Sequence, residues 1–221
     1  MEQRAAAFFD LDRTLMRENS GQLYALHEFK QGRLSLRQLV QSSYWLLLHH
    51  LALLDVEVAY QKAASHWRGS LGSDVRDMAA SWFERDVAHR LTPGGKQALE
   101  MHRARSEPTV LLTNTSGYIA MAAAACWQVD FWLANVIPTD AHGRITGELD
   151  APLCFGEGKV TRAEAWAREH HVSLEQSYFY SDSISDVPML ARVGHPRVVN
   201  PDPMLRRYAK KRSWPIVDWA R

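Results

Sequence analysis

The chain has 221 residues, of which 46% are hydrophobic and 23% are charged, values that fit a folded globular protein and exclude a disordered class. Lysine and arginine number 26 against 25 aspartate and glutamate residues, a formal net charge of +1. The chain therefore lacks the overall field typical of proteins that bind nucleic acid or anionic membranes, and any anion site must be local.

The two cysteines, Cys126 and Cys154, lie far apart in the sequence. Their spacing is typical of neither a disulfide framework nor a zinc site, so we expect two isolated buried thiols in a reducing compartment. The start of the chain has no apolar signal segment and leads almost at once into a predicted strand. We therefore expect a cytoplasmic protein rather than a secreted one.

The first predicted element is a buried strand over residues 5–9, which ends in Asp10 and Asp12. Open α/β sheets have their ligand crevices beyond the carboxyl ends of such strands. Two carboxylates this close repel each other, and a hard divalent cation such as Mg²⁺ relieves the repulsion through oxygen ligands. From these two acids alone, a reactive or metal site is no better supported than a polar strand end that caps the next helix or faces water.

Residues 16–90 show helical patterns and no strand pattern, which predicts an all-helical insert after the first strand. Three helices are predicted in it. The first begins at a capping box of Ser35 and Gln38, the second covers residues 56–68 and is stopped by Gly69 and Gly72, and the third covers residues 74–89.

The most apolar stretch of the insert covers residues 44–54 and contains His49 and His50. It is too short to span a bilayer, which takes about 20 residues. Burial inside the insert and a contact between two copies of the chain, giving a homodimer, are both compatible with this stretch. The aromatic residues of the insert are expected to build core rather than a substrate pocket, namely Tyr44, Trp45, Trp67, Trp82 and Phe83.

Helices and strands alternate in the rest of the chain. Strands separated by helices of this length predict a parallel sheet with helices on both faces. The predicted elements are a helix over 92–106, a strand over 109–113, a helix over 116–127, a strand over 131–134, a hairpin over 136–149, a helix over 156–170, a strand over 178–180 and a last strand over 197–199.

Polar side chains follow several of these strands or lie in the loop beside them. Because the carboxyl ends of neighbouring parallel strands lie at one edge of a sheet, we expect these groups to converge there. The insert falls between the first and second strands, above this edge, and can act as a lid. The groups concerned are Asp10, Asp12, Thr113, Lys159, Asp182, Ser183 and Asp186.

The chemistry that this set predicts is phosphoryl transfer. Asp10 can attack phosphorus and form an aspartyl phosphate, and Asp12 can protonate the leaving alcohol and then deprotonate a water. Thr113 and the backbone amides behind it can bind the transferring oxygens, while Lys159 offsets their charge. Asp182 can complete a Mg²⁺ site beside Asp10.

Four motifs in this order resemble the phosphoserine-phosphatase-like branch of the haloacid dehalogenase superfamily. The resemblance implies a Rossmann-like α/β core with a parallel sheet, formed by residues 1–16 and 91–221. It also implies an all-helical cap of type C1 inserted after the first strand, formed by residues 17–90. The motifs are residues 9–15 with the pattern Asp-x-Asp-x-Thr, Leu111-Leu112-Thr113-Asn114-Thr115, Gly158-Lys159, and residues 180–188, in which Ser181 stands where glycine is usual.

By the same resemblance, the activity is that of a Mg²⁺-dependent phosphatase acting on a small phosphorylated metabolite such as phosphoserine or histidinol phosphate. Asp10 is then the nucleophile, and Asp12 is the acid and base. The metal ligands are the side chains of Asp10 and Asp182 and the main-chain carbonyl of Asp12, while Asp186 orients Lys159.

Five residues are candidates for substrate contact. Related phosphatases carry an amine-recognising glutamate at the position of Asn19, which Glu18 precedes. Arg13 stands where a small residue is usual, and we expect it to face solvent or pair structurally rather than meet the phosphate. Arg68 is expected to be a surface or paired group rather than a partner for a substrate carboxylate. Asn114 lies in the second motif, directly after Thr113.

Two other functions remain as alternatives. A receiver-type signalling module also phosphorylates an aspartate, but it has no helical lid and no acid two residues after the nucleophile. A catalytically inactive member of the superfamily that only binds a ligand is disfavoured, since every catalytic position is filled.

Overall fold

The computed structural model describes residues 4–37, 60–61 and 64–219. Within them, one parallel sheet has the strand order β3-β2-β1-β4-β5-β6, which confirms the predicted α/β class. Because the order reverses direction at β1, the carboxyl end of this central strand opens onto the ligand crevice of the sheet. The strands are β1 (Ala7–Phe9), β2 (Thr109–Ser116), β3 (Phe131–Asn135), β4 (Tyr178–Ser181), β5 (His195–Val199) and β6 (Ile216–Val217).

Helices cover both faces of the sheet. The alternation of side chains along β1 divides the core in two: Phe9 packs among residues of α1 to α4, and Phe8 packs among residues of α5 to α7. The helices are α1 (Ser20–Lys30), α2 (Gly72–Asp86), α3 (Pro93–Ala104), α4 (Gly117–Trp127), α5 (Glu157–Glu169), α6 (Val187–Arg192) and α7 (Pro203–Arg212), with 3-10 turns at Ala88–Arg90, Leu174–Gln176 and Ile184–Asp186.

Two core helices begin where short polar residues predict it. The Thr92 hydroxyl accepts a hydrogen bond from the Gly95 N–H at 3.1 Å, and Pro93 occupies the first helical position. The Ser116 hydroxyl accepts from the Ile119 N–H at 3.4 Å. These caps confirm the predicted helices over 92–106 and 116–127.

The structure corrects three expectations. The strand over 197–199 is not the last, because β6 follows it; two residues are too few to show an alternating pattern. Gly72 does not end a helix but begins α2, where a Cβ would come 2.9 Å from Thr139 Cγ2, so glycine allows the close approach of the two segments. Cys154 is buried as predicted, but Cys126 is exposed.

The predicted hairpin joins the insert to the core. Thr139 and Ile145 form an antiparallel bridge within it. The Gly69 N–H donates to the Ile145 carbonyl, and the Ile145 N–H donates to the Ser70 carbonyl, each at 2.9 Å. Backbone hydrogen bonds therefore fix the end of the insert to the hairpin.

The aromatic side chains on α2 build core, as predicted. Trp82 and Phe83 are buried in the same cluster as Phe9, and Phe83 meets Trp127 of α4 edge-on with ring centroids 5.1 Å apart. Gln38 of the capping box and the stretch 44–54, with Tyr44, Trp45 and the histidine pair, lie outside the described residues. The boundaries of core and cap stay a prediction. None of the helices in the described part of the chain is long and apolar enough to cross a membrane.

Candidate active site

Three neighbouring strands bring the polar groups to one edge of the sheet. Phe9 is in register with Leu111 of β2 and with Tyr180 of β4. Asp10, which follows β1, therefore lies between β2, which contains Thr113, and the end of β4, which Asp182 follows. The register of the three strands therefore brings Asp10, Thr113 and Asp182 to the carboxyl edge of the sheet.

Lys159 links the nucleophile candidate to a second carboxylate. Its Nζ donates to Asp10 Oδ1 and to Asp186 Oδ2, each at 2.8 Å, and the lysine is only 2% exposed. Gly158 allows this position of the lysine, because a Cβ there would come 1.8 Å from the Leu153 carbonyl oxygen. Burial disfavours the charged lysine, but the two carboxylates outweigh it and raise the pKa of Lys159 above its ordinary value.

The acidic side chains outnumber the cations in the buried part of the site. Burial raises the pKa of Asp10 to about 7, with Lys159 opposing the shift. Burial, and then the charges of Asp10 and Asp186, raise the pKa of Asp182 well above its ordinary value. Asp12 adds a fourth carboxylate. Within the described residues, the nearby cations do not outweigh the burial and mutual repulsion that raise the pKa values of Asp10 and Asp182.

A hard divalent cation fits this arrangement. Carboxylate and carbonyl oxygens are the ligands that Mg²⁺ prefers, and Asp10 and Asp182 are both buried carboxylates at the strand ends. Among the described residues no three His, Cys, Asp or Glu side chains form a metal-binding group; the set implied by the resemblance has only two side chains and the Asp12 carbonyl. Thr14 Oγ1 donates to Asp182 Oδ1 at 3.4 Å and orients it.

Asp12 is held by the beginning of α1 rather than by the core. The Ser20 N–H donates to Asp12 Oδ1 at 2.7 Å, and Asn19 Nδ2 donates to Asp12 Oδ2 at 3.1 Å. Burial raises the pKa of Asp12, and the hydrogen bond from Ser20 opposes that shift. A raised pKa is what a proton donor near neutral pH needs.

Hydroxyl groups line the β2 side of the site. Thr113 is 1% exposed, and its Oγ1 accepts from the Thr115 N–H at 3.3 Å. Thr115 Oγ1 in turn accepts from Ser20 Oγ at 3.3 Å. The end of β2 is thereby connected to the same helix start that holds Asp12.

Sequence reasoning missed the contacts of two residues. Ser181 Oγ donates to Asp186 Oδ2 at 2.6 Å; the only sequence signal was its departure from the usual glycine. Tyr60 belongs to the insert, and its phenol pKa is raised by burial and then by the charges of Asp12 and Asp10, so it lies within electrostatic reach of the acid pair. Nothing in the helical pattern around Tyr60 marked it.

Three substrate candidates surround the start of α1. Arg13 is exposed, as expected, and has a left-handed backbone with φ 59°. Glu18 forms an ion pair with Arg90. Asn19 contacts Asp12 through its amide nitrogen, as described above. The structure thus brings Asn19 to the acid pair and pairs Glu18 elsewhere.

The other two candidates contact other parts of the fold. Arg68 lies against the hairpin, where a Cβ on Gly147 would come 2.9 Å from its Nε. Asn114 accepts from Asn135 Nδ2 at 3.0 Å through its side chain and at 2.8 Å through its carbonyl. Asn114 is therefore joined to the end of β3.

Comparison with known proteins gives three related enzymes and a family. A family model described as haloacid dehalogenase-like hydrolase matches residues 7–191. A probable phosphatase of Mycobacterium tuberculosis is 32% identical over 222 residues, covering 99% of this chain and 76% of that protein. A histidinol-phosphatase of Neisseria meningitidis is 26% identical, covering 96% of this chain and 98% of its own. A phosphoserine phosphatase of M. tuberculosis is 29% identical, covering 97% and 71%.

Solved structures agree on the fold. A protein of unknown function from Bordetella pertussis superposes with a TM-score of 0.90 at 26% identity, covering 99% of this chain and 100% of its own. A phosphoserine phosphatase with an analogue of its phospho-aspartyl intermediate gives a TM-score of 0.69 at 16% identity, covering 100% and 95%. At that identity the second likeness concerns the fold alone.

Proposed function

This chain belongs to the haloacid dehalogenase-like hydrolases, and from that premise we propose that it is a Mg²⁺-dependent phosphatase that hydrolyses a small phosphate monoester through an aspartyl phosphate. The observation that carries the proposal is the position of Lys159, with its Nζ 2.8 Å from both Asp10 and Asp186. A nucleophilic carboxylate that is already oriented by a buried cation suits attack on an anionic phosphate.

In the first step, a carboxylate oxygen of Asp10 attacks phosphorus and the ester P–O bond breaks. The electron pair of that bond stays on the alcohol oxygen, which takes the proton of Asp12. Lys159 offsets the negative charge on the transferring oxygens, and the Thr113 hydroxyl is a further hydrogen-bonding group there.

In the second step, Asp12 takes a proton from a water that attacks the phosphorus of the aspartyl phosphate. The bond between Asp10 and phosphorus breaks, its electron pair returns to the carboxylate, and inorganic phosphate leaves. Asp12 is then protonated again. The raised pKa of Asp12 supports both halves of this cycle, because the residue must hold a proton before each leaving-group step.

The side chains of Asp10 and Asp182 and the carbonyl of Asp12 would hold Mg²⁺. When bound, the ion supplies positive charge to the phosphate oxygens and keeps the neighbouring carboxylates ionised. Asp186 keeps Lys159 in place beside them.

For the substrate, we propose a small phosphorylated metabolite resembling phosphoserine or histidinol phosphate, supported by the names of two relatives. Nucleic acid and membrane partners are not part of the proposal, in keeping with the net charge of +1. The cytoplasmic location and a homodimer stay predictions.

A panel of phosphate monoesters that includes phosphoserine and histidinol phosphate tests the proposal. Phosphate release should require Mg²⁺, should stop with EDTA and should return when excess Mg²⁺ is added. Asp182→Asn should weaken Mg²⁺ binding in a calorimetric titration. Absence of hydrolysis across the panel with Mg²⁺ present would contradict the phosphatase assignment, and a phosphoaspartate that lasts for many minutes would favour the receiver-type alternative.

A further inference from the structure

The start of α1 grips both oxygens of the Asp12 carboxylate. Oδ1 accepts from the Ser20 N–H at 2.7 Å, and Oδ2 accepts from Asn19 Nδ2 at 3.1 Å. An aspartate carboxylate rotates easily about its last torsion, because this torsion has a broad energy minimum. A contact at one oxygen leaves that rotation free, whereas contacts at both oxygens fix it.

Asn19 is itself fixed. Its Oδ1 accepts from the Gln22 N–H at 2.9 Å and caps α1. Its neighbour Ser20 is fully buried, and the Ser20 hydroxyl bonds to Thr115 at 3.3 Å. The Asn19 amide that donates to Asp12 therefore belongs to a helix start that is hydrogen-bonded to β2.

The contact with Asn19 leaves Asp12 able to carry a proton. Each carboxyl oxygen has two lone pairs, so Oδ2 can accept from Asn19 and still hold a proton for the substrate. The cap uses the side-chain oxygen of Asn19, and Asp12 uses one of its two N–H groups, so both ends of the amide have a partner in the protein.

We infer that Asn19 is a positioning residue that directs the Asp12 carboxyl group at the leaving-group oxygen. The residue at the position expected to read the substrate instead supports the group that moves the proton. This inference rests on the proposed role of Asp12 as general acid.

Leaving groups of different basicity test the inference. A poor leaving group, such as the alcohol of an alkyl phosphate, must be protonated as it departs, whereas p-nitrophenolate leaves without a proton. The ratio kcat/KM reports every step up to leaving-group departure. Asn19→Ser keeps a helix-capping hydroxyl but is too short to reach Asp12. We expect it to lower kcat/KM for the alkyl phosphate by roughly tenfold or more and to leave p-nitrophenyl phosphate almost unchanged.

Two controls separate the outcomes. Gln22→Ala, on the exposed side of α1, should behave as wild type, and thermal unfolding of Asn19→Ser should match wild type because the cap is kept. Asp12→Asn should show the same leaving-group selectivity as Asn19→Ser, but larger.

Each contrary result has its own meaning. If Asp12→Asn lowers kcat/KM for both esters equally, the proposed role of Asp12 as general acid fails. If Asp12→Asn is selective but Asn19→Ser is not, only the positioning role of Asn19 is overturned. A higher KM for the alkyl phosphate at unchanged kcat would assign Asn19 to substrate binding and overturn the inference as well.

Discussion

The two carboxylates at the end of β1 are held by different regions of the molecule. Asp10 is bound by Lys159, a buried cation that also binds Asp186, at 2.8 Å in both cases. Asp12 is bound by neutral donors at the start of α1, the Ser20 N–H and the Asn19 amide. A fixed ionic partner suits a nucleophile that stays anionic until it attacks, and neutral donors suit a group that gains and loses a proton.

The two sets of contacts also differ in sequence distance. Asp10 and Lys159 are 149 positions apart, whereas Asp12 is 7 and 8 positions from its partners. The contact between Asp10 and Lys159 therefore needs distant parts of the chain to come together in the folded core. The contacts of Asp12 need only one local turn and the start of α1. Loosening of α1 would release Asp12 and leave Asp10 in place.

Replacement of Asp10 should give the largest effect, because it removes the atom that attacks phosphorus. Asp10→Asn and Asp10→Ala should each lower kcat on the order of 10⁴-fold or more for every ester. Burial disfavours the charged Asp10, so thermal unfolding of Asp10→Asn should not shift downward by much. Steady-state phosphate release measures this. Activity near that of wild type would remove Asp10 from the nucleophile role.

Lys159→Met should give the next largest effect, since it leaves Asp10 and Asp186 without their cation. We expect kcat to fall by about 10²–10³-fold for good and poor leaving groups alike. The matched control is Lys96→Met, whose side chain is 68% exposed and pairs only distantly with Glu100 at 3.9 Å. If the loss of kcat in Lys159→Met depended on the leaving group, Lys159 would also affect the proton transfer by Asp12, and the division of roles between the contacts of Asp10 and those of Asp12 would be wrong.

Ser181→Ala tests the support behind Lys159. The Ser181 hydroxyl donates to Asp186 Oδ2 at 2.6 Å, and Lys159 binds the same oxygen at 2.8 Å. Removal of the hydroxyl loosens the carboxylate that holds Lys159, so we expect kcat to fall by roughly tenfold. In a double-mutant cycle with Asp186→Asn, the two losses should not add, because both act through the same carboxylate. Additive losses would mean that Ser181 acts independently of Asp186.

Much of the core could be predicted because its signals are local. The apolar run that contains Phe8 and Phe9 marks β1, and the caps at Thr92 and Ser116 mark two helices. The beginning of α2 was missed because Gly72 is required by contact with Thr139 of the hairpin, and a sequence pattern does not report such a tertiary contact.

The candidate site divides in the same way. The convergence of Asp10 and Asp182, which follow neighbouring strands, is expected from the rule that parallel strands end at one edge, and so it could be predicted. The contact from Asn19 to Asp12 depends on side-chain rotamers at a helix start. Motif spacing carries no information on these rotamers. The sequence therefore located Asn19 but did not predict that its partner is Asp12.

The smallest effect on activity is expected for replacement of His102, which contacts the strands next to Asp10 from the core. His102 is fully buried, contacts Glu107 through Nδ1, and lies 2.9 Å from the Tyr180 hydroxyl through Nε2. Tyr180 stacks on Phe9, one residue before Asp10, with ring centroids 4.7 Å apart. His102→Gln should cost about 1–3 kcal/mol of unfolding free energy and change kcat little.

The pH dependence of stability distinguishes His102 from other ionisable groups. Burial lowers the pKa of His102 below its ordinary value of 6.5, with Glu107 opposing. The unfolded chain then binds a proton more readily than the folded one, so the contribution of His102 is complete above pH 6.5 and is lost as the pH falls below it. Urea unfolding of wild type and His102→Gln between pH 5 and 8 measures this. The difference in unfolding free energy between wild type and His102→Gln should become smaller toward pH 5. A difference that becomes larger there would mean that Glu107 keeps His102 protonated in the folded state.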